Sequence, residues 1–213
     1  MSAPPEAPRE CPLCPRLVAY REENKRREPT GFNGAVHSFG DPEARLLIVG
    51  LAPGRGGANT TGRPFTRDFA GELLYGTLLK LGLARGAYRA DPNDGLELVG
   101  AMITNAVRCA PPENKPTPAE IATCRPFLAA RIAALPRLRA IMALGSIAHE
   151  SVLRAHGMKP TAAKFGHGVE APLAGHVRLF SSYHCSRYNT QTRRLTAAMF
   201  EDVMTRAAAW AAA

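Results

Sequence analysis

No apolar run in this sequence approaches the roughly 20 residues that a membrane-spanning helix requires. The opening residues, Met-Ser-Ala-Pro-Pro-Glu, lack the basic and apolar regions of a secretory signal peptide. The first absence argues against a helical membrane protein and predicts that no membrane is a partner. The second absence predicts that the protein stays in the cytoplasm.

The glycine-rich stretch 50–68, GLAPGRGGANTTGRPFTRD, lacks the motifs of two common phosphate-binding loops. It has neither the Gly-Lys-Ser/Thr of a Walker loop nor the G-x-G-x-x-G of a dinucleotide-binding turn. These absences argue against a nucleotide-phosphate hydrolase. Because glycine has no side chain, the stretch still predicts a backbone that bends sharply or lets a ligand come close. Its glycines are Gly50, Gly54, Gly56, Gly57 and Gly62.

The composition is that of one ordinary globular domain with an excess of positive charge. The chain has 213 residues, 46% of them hydrophobic, and 27 Lys and Arg outnumber 18 Asp and Glu. The net charge of +9 fits a partner rich in phosphates and equally fits a merely basic protein. Residues 11–213 are expected to form a single domain. Proline and small residues predict a disordered tail over residues 1–10.

Short apolar runs alternate with helical patterns along the chain. The runs lack clean alternation of polar and apolar residues, which indicates parallel strands covered on both faces. They predict a three-layer α/β/α sandwich with a central four-stranded parallel sheet, whose ligands bind at the carboxyl ends of the strands. The expected strands are 46–50, 100–107, 139–145 and 177–182, and the expected helices are 15–28, 69–83, 117–135, 145–156 and 190–210.

Four cysteines form two groups. Cys11 and Cys14 make a C-x2-C pair, and fourteen residues separate Cys109 from Cys124. In a cytoplasmic protein this set favours a metal site over disulfides. Four thiolates suit zinc and an iron-sulfur cluster alike, so the spacing leaves the metal open. Cys185 stands apart and is interpreted as a small packed residue.

The ends of the predicted strands carry two candidate catalytic side chains. Asp68, at the end of the glycine-rich stretch, could polarise a water molecule or simply cap the helix that follows. His184 could donate a hydrogen bond to charge that develops on a leaving group. Phe65 could stack on a flat ring or belong to the core.

The residues after His184 suit nucleic acid. Ser186, Arg187 and Asn189 carry groups that hold phosphates, and Tyr188 could insert into a base stack. Over nearly its whole length, the sequence resembles the type b, or family 5, iron-sulfur uracil-DNA glycosylases. The motifs that carry the resemblance are GLAPG at 50–54, TGRPFTxD at 61–68, TN at 104–105 and HxSRxNT at 184–190.

The resemblance implies a cofactor and a base pocket. A structural [4Fe-4S] cluster would be held by Cys11, Cys14, Cys109 and Cys124. Gly50, Ala52 and Gly54 would line the pocket of a flipped base, with Phe65 stacked on the base, Asn105 on its Watson-Crick edge and His184 on its oxygen. Ser186, Arg187, Tyr188 and Asn189 would enter the minor groove. Related branches carry a polar residue where this chain has Leu51 and Ala52, so Asp68 becomes the candidate to orient water or stabilise the sugar cation.

The implied activity is hydrolytic removal of uracil, and of other deaminated bases such as hypoxanthine, from DNA. The enzyme would act as a monomer and leave an abasic site without cutting the strand. The alternative is a non-catalytic iron-sulfur protein that binds DNA, for which loss of Asp68 and His184 would be harmless. The chain departs from the expected pattern at Arg67 and Arg193, where glycine is expected, and at Tyr188, where glutamine is frequent.

Overall fold

A computed structural model describes residues 5–213 of the chain as a sheet with helices on both faces. The strands are β1 Phe39–Gly40, β2 Leu46–Gly50, β3 Ala84–Arg85, β4 Glu97–Leu98, β5 Ala101–Asn105, β6 Ala140–Leu144, β7 Glu170–Pro172 and β8 Arg178–Ser182. The helices are α1 Pro15–Arg27, α2 Ala58–Thr61, α3 Phe69–Lys80, α4 Pro118–Ala133, α5 Ser146–Ala155, α6 Arg187–Gln191 and α7 Ala197–Ala212.

The main sheet has six strands in the order β1-β5-β2-β6-β8-β7. Its four inner strands are parallel to one another, which confirms the four-stranded core predicted from the apolar runs. β1 and β7 add antiparallel edges that the sequence analysis missed. They have two and three residues respectively, too few to form a recognisable apolar run. β3 and β4 form a separate two-stranded sheet.

Both faces of the parallel strands are buried, as their continuous apolar runs predict. All five residues of β2 are buried, and successive side chains point to opposite faces. Leu46 and Ile48 pack with residues of α3 and α7 such as Leu74 and Val203, whereas Leu47 packs with residues of α4 and α5. The α/β/α sandwich is therefore confirmed.

The C-terminal helix expected over 190–210 is two helices. α6 ends at Gln191, and Arg193 adopts a left-handed backbone with φ of 57°. Thr196 then starts α7, because its side chain accepts a hydrogen bond from Met199 N. Because Thr196 caps a new helix, the chain does not continue from α6 as one helix. The apolar residues from Leu195 onwards therefore belong to α7 and to the turn just before it.

The expected disordered tail over 1–10 has two parts. Residues 1–4 lie outside the described residues. From Pro5 the chain contacts the domain, which differs from that expectation: Ala7 is 2% exposed, and the Glu6 carboxylate accepts hydrogen bonds from Arg131. A partly buried ion pair gives this proline-rich segment contacts that its composition does not reveal. None of the helices in residues 5–213 is long and apolar enough to cross a membrane.

Thr117 begins α4 with the capping box that its sequence predicts. Its hydroxyl accepts from Glu120 N at 3.2 Å, and the Glu120 carboxylate accepts from Thr117 N at 2.7 Å. We expect Thr117→Ala to lower the free energy of unfolding by about 1 kcal/mol, because a backbone donor loses its partner. Urea denaturation measures this, with Thr205→Ala on the exposed face of α7 as the control. Equal stability of the two variants would contradict the cap.

Candidate active site

A cavity of about 370 Å³ opens at the carboxyl ends of the parallel strands. β2 and β5 end side by side, with Gly50 paired to Asn105, and β8 leads directly to His184. The sheet therefore brings together residues that are far apart in sequence. The lining residues are Leu51, Ala52, Pro53, Gly54, Ala58, Phe65, Asp68, Phe69, Ala70, Asn105, Asn114, His184, Ser186 and Arg187.

Gly50, predicted to line the base pocket, is not among the lining residues, but its missing side chain leaves room for two that are. A Cβ atom on Gly50 would lie 2.4 Å from Asn105 Oδ1 and 2.6 Å from Phe65 Cζ. Asn105 and Phe65 are both buried, 3% and 6% exposed. A side chain at position 50 would thus displace the amide and the aromatic ring that the sequence analysis assigns to the base.

The Asp68 carboxylate occupies space left by two more glycines. A Cβ atom would lie 2.5 Å from Asp68 Oδ1 if placed on Gly54 and 2.0 Å if placed on Gly57. Asp68 stands just before α3, but its side chain makes no capping hydrogen bond to that helix. Oδ2 instead accepts a hydrogen bond from Ala58 N of α2 at 3.3 Å. Burial raises the pKa of Asp68 above its usual 3.8, against the effect of this hydrogen bond.

His184 faces the same cavity as a neutral imidazole. Its ring is stacked beside that of Phe65, with the centroids 6.0 Å apart and the planes at 24°. Burial lowers the pKa of His184 to about 4, so the ring is uncharged at neutral pH and carries one N–H donor. Asn189, predicted to contact DNA, donates its side-chain amide to the His184 carbonyl at 2.8 Å and so orients this segment.

The segment after His184 forms one rim of the cavity. Ser186 Oγ accepts from Asn189 N at 3.4 Å and starts α6. The Arg187 guanidinium lies 5.1 Å from the centre of the Phe69 ring, and Tyr188 is 70% exposed. An exposed aromatic side chain beside an arginine at the mouth of a pocket suits contact with a base stack.

Five lining residues were not predicted from the sequence, namely Pro53, Ala58, Phe69, Ala70 and Asn114, and of these Phe69 and Asn114 carry an aromatic or an amide side chain. Phe69 is 42% exposed at the start of α3, where the apolar pattern assigns it to a helix face. Asn114 follows β5, in a turn at Pro112–Asn114 where Glu113 and Asn114 have φ of 54° and 57°. Its position after β5, the strand that carries Asn105, was the available signal, because loops after parallel strands meet at one edge of the sheet.

The four predicted metal-binding cysteines line a second, small cavity. Cys11, Cys14, Cys109 and Cys124 all contribute to it, and Arg108 N donates to Cys124 Sγ at 3.3 Å. As free thiols two of them are weaker acids than an ordinary cysteine, since burial raises the pKa of Cys109 to about 12 and that of Cys124 to about 11. Cys185 is buried in the main core, as expected for a packed residue.

The residues around the first cavity lie in a stretch of the chain that matches a known protein family. The model of the uracil DNA glycosylase superfamily matches residues 37–208, which include every strand of the parallel sheet. The chain belongs to this superfamily. The match contains the glycine-rich stretch, Asn105 and the His184 segment, whose motifs carry the resemblance noted in the sequence.

Curated relatives refine this membership. A type-5 uracil-DNA glycosylase of Thermus thermophilus is 48% identical over 91% of this chain and 90% of its own length. A type-5 uracil-DNA glycosylase of Mycobacterium leprae is 46% identical over 91% of this chain and 88% of its own length. A type-4 uracil-DNA glycosylase of Pyrobaculum aerophilum is 33% identical over 70% of this chain and 62% of its own length. The resemblance to the type b, or family 5, branch is confirmed.

The charge of Asp68 in this member of the superfamily has a consequence for stability. A carboxyl whose pKa is raised on folding favours its protonated form, so the ionised form destabilises the fold at pH 7. We expect Asp68→Asn to raise the melting temperature at pH 7. The gain should shrink as the pH falls toward the ordinary pKa of 3.8, where wild-type Asp68 is protonated.

Thermal unfolding at pH 7 and pH 4.5 measures this effect. Asp202→Asn is the matched control, because the Asp202 side chain on α7 is 66% exposed. A variant Asp68→Asn that melts below the wild-type protein at pH 7 would show that the ionised carboxylate is stabilised by its surroundings.

Proposed function

We propose that this protein is a uracil-DNA glycosylase that hydrolyses the N-glycosidic bond of uracil in DNA. The observation that carries the proposal is one cavity lined by an aromatic ring, an amide, a carboxylate and a neutral imidazole: Phe65, Asn105, Asp68 and His184. Such a cavity suits a single flat base. A base in a duplex has to be flipped out before it can enter, and a uracil from deaminated cytosine pairs badly and is the cheapest to extract.

Bond cleavage creates positive charge on the sugar and negative charge on the departing base. The Asp68 carboxylate opposes the first charge and can orient the attacking water, and both roles require its ionised form. His184 opposes the second charge by donating its N–H to a uracil oxygen, which a neutral imidazole does without changing its own charge. The lowered pKa of His184 keeps the imidazole neutral for its role, and the raised pKa of Asp68 makes the ionised carboxylate a stronger base than an exposed aspartate.

The uracil ring would be held by stacking and by its polar edge. Phe65 offers an aromatic face, and base-aromatic stacking contributes about 1–3 kcal/mol. Asn105 offers an amide oxygen and an amide NH2, which complement the N3–H donor and the O4 acceptor of uracil. Gly50 supports this assignment because its missing side chain lets both residues approach.

Arg187, which lines the cavity, and the exposed Arg67 and Arg193 would hold the DNA backbone. Arg67 and Arg193 are exposed and take no part in an ion pair between described residues, so Arg67 does not pair with Asp68. Their φ angles of 60° and 57° explain why glycine is expected at both positions. We propose that these two arginines, with Arg187, bind phosphates while Tyr188 enters the base stack.

The residues that line the cavity indicate which bases the enzyme accepts and whether it cuts the DNA strand. Leu51 and Ala52 offer no polar side chain that would reject another deaminated base, so hypoxanthine is a second proposed substrate. The cavity lining contains no lysine that could form a Schiff base, which supports release of the base without strand cleavage. We further propose a monomer in the cytoplasm, associated with the nucleoid, where five free cysteines suit a reducing compartment.

We propose that Cys11, Cys14, Cys109 and Cys124 hold a structural [4Fe-4S] cluster. Their shared cavity and their all-sulfur donor set support it. Within residues 5–213, no group of three or more His, Cys, Asp and Glu is arranged to hold a single metal ion. The choice of an iron-sulfur cluster over zinc rests on the resemblance to the iron-sulfur branch of the family. When bound, it would fasten the N-terminal segment to β5 and α4.

Base release from a uracil-containing duplex tests the proposed activity. The wild-type protein should release free uracil and leave sites that alkali cleaves. Asp68→Asn and His184→Ala should each lower the rate by about 100- to 10,000-fold, because each removes a group that acts in the transition state. Asp202→Asn is the control with the wild-type rate.

The alternative function, DNA binding without catalysis, makes the opposite prediction. A wild-type protein that binds the duplex in a salt-sensitive way but releases no base would contradict the proposed enzyme and support that alternative. A parallel duplex with hypoxanthine in place of uracil tests the breadth of the pocket.

Metal analysis and visible absorption test the cluster. The purified wild-type protein should contain iron and inorganic sulfide in equal amounts and should bleach on reduction. Cys109→Ala should lose both signals and melt at a lower temperature, since one anchor of the N-terminal segment is gone. Cys185→Ala, at a cysteine buried elsewhere, should keep both signals. Stoichiometric zinc without iron in the wild-type protein would contradict the cluster.

A further inference from the structure

The backbone of Phe65 is held in a conformation that an aromatic residue rarely adopts. Its φ is 57°, in the left-handed region, and its side chain is 6% exposed. A non-glycine residue there is strained and persists only where surrounding contacts enforce it. The residue proposed to stack on the flipped base is therefore held in this conformation by its neighbours, against its own preference.

Hydrogen bonds from two tyrosines and an arginine hold the backbone and side chains on both sides of Phe65. The Tyr75 hydroxyl of α3 donates to the Pro64 carbonyl at 2.6 Å, and the Tyr88 hydroxyl donates to the Phe65 carbonyl at 3.1 Å. Arg63 Nε donates to Thr66 Oγ1 at 2.6 Å. The tyrosine rings themselves are stacked, with centroids 4.6 Å apart.

Asp94 fixes the arginine of this group. The Arg63 guanidinium donates to both Asp94 oxygens, at 2.7 and 2.8 Å, and the two side chains are 5% and 0% exposed. The Asp94 carboxylate also accepts from Arg89 N and Leu96 N, so the buried charge is fully bonded. The segment between β3 and β4 is thereby joined to the loop that carries Phe65.

Gly71 of α3 lets these groups meet. A Cβ atom on Gly71 would lie 1.9 Å from the Phe65 carbonyl oxygen and 2.5 Å from the Tyr88 hydroxyl oxygen. The helix, the carbonyl and the hydroxyl converge at one point where no side chain fits. This packing holds the Phe65 carbonyl in a single position.

We propose that Arg63, Tyr75, Tyr88 and Asp94, here called the Phe65 clamp, are positioning residues for the flipped base. The inference rests on the proposed function. The clamp fixes the left-handed backbone of Phe65 before DNA binds, so the aromatic face is ready and no ordering of the loop is needed at that step. None of the four contributes to the cavity lining, which separates them from the residues that would contact the substrate.

Tyr88→Phe tests the clamp, because it removes one hydroxyl from a half-buried ring and keeps the ring itself. The affinities to compare are those for a duplex with a non-hydrolysable uracil nucleotide and for one with an abasic analogue. We expect affinity for the uracil duplex to fall by about two- to tenfold, the range for one hydrogen bond. Affinity for the abasic duplex should stay unchanged, since that DNA offers no base to Phe65.

Two further variants sharpen the test. Tyr75→Phe removes the other hydroxyl and should show the same selective loss. Tyr20→Phe is the matched control, because the hydroxyl of Tyr20 on α1 lies outside the clamp. In the background of Phe65→Ala, Tyr88→Phe should have no further effect, because residues that act through one side chain are not additive.

Equal losses for the two duplexes, no loss for either, or additive effects with Phe65→Ala would overturn the clamp. These outcomes are distinct from a failure of the proposed function. If the proposed function itself were wrong, the wild-type protein would release no uracil and would not prefer the uracil duplex over an unmodified one.

Discussion

The close packing of one half-buried carboxylate against glycines is the constraint on which the site depends. Asp68 Oδ1 occupies the space that a side chain would take at Gly54 or Gly57, and Oδ2 bonds to Ala58 N. The loop after β2 must therefore wrap closely around Asp68. In return the carboxylate faces the cavity, where its charge acts more strongly than it would in bulk water. The cost is a less stable fold when the carboxylate is ionised, a common compromise at active sites.

The parallel sheet supplies the rest of the geometry. Pairing of Gly50 with Asn105 sets the amide beside the loop, and the end of β8 brings His184 to the same edge. The Phe65 ring completes the wall in a backbone conformation that needs outside support. Three strands and one strained loop thus converge on a single cavity, each fixed by contacts outside the cavity.

Much of this arrangement could be predicted from the sequence. Continuous apolar runs such as Leu46–Gly50 identify buried parallel strands, and the order of strands and helices then indicates which ends meet. Thr117 and Glu120 predict the start of α4 because a capping box is a local interaction. The family motifs, quoted in order, identified the superfamily and its branch.

The remaining features depend on contacts between distant residues. The glycines at 50, 54 and 57 were expected to bend the chain or admit a ligand, but none of them has a positive φ; they make room for Asn105, Phe65 and Asp68. The pairing of Arg63 with Asp94 spans 31 positions without a local pattern. Edge strands of two or three residues, and the break between α6 and α7, are too short to alter an apolar period.

The central claim is that the cavity beside Asp68 receives a flipped base. A crystal structure of Asp68→Asn bound to a uracil-containing duplex tests it most directly, because the variant should bind substrate without cleaving it. We expect the uracil ring to lie against Phe65, with its Watson-Crick edge toward Asn105 and the residue 68 side chain beside the sugar. A uracil that remains stacked in the duplex, or DNA bound to another face of the protein, would contradict it.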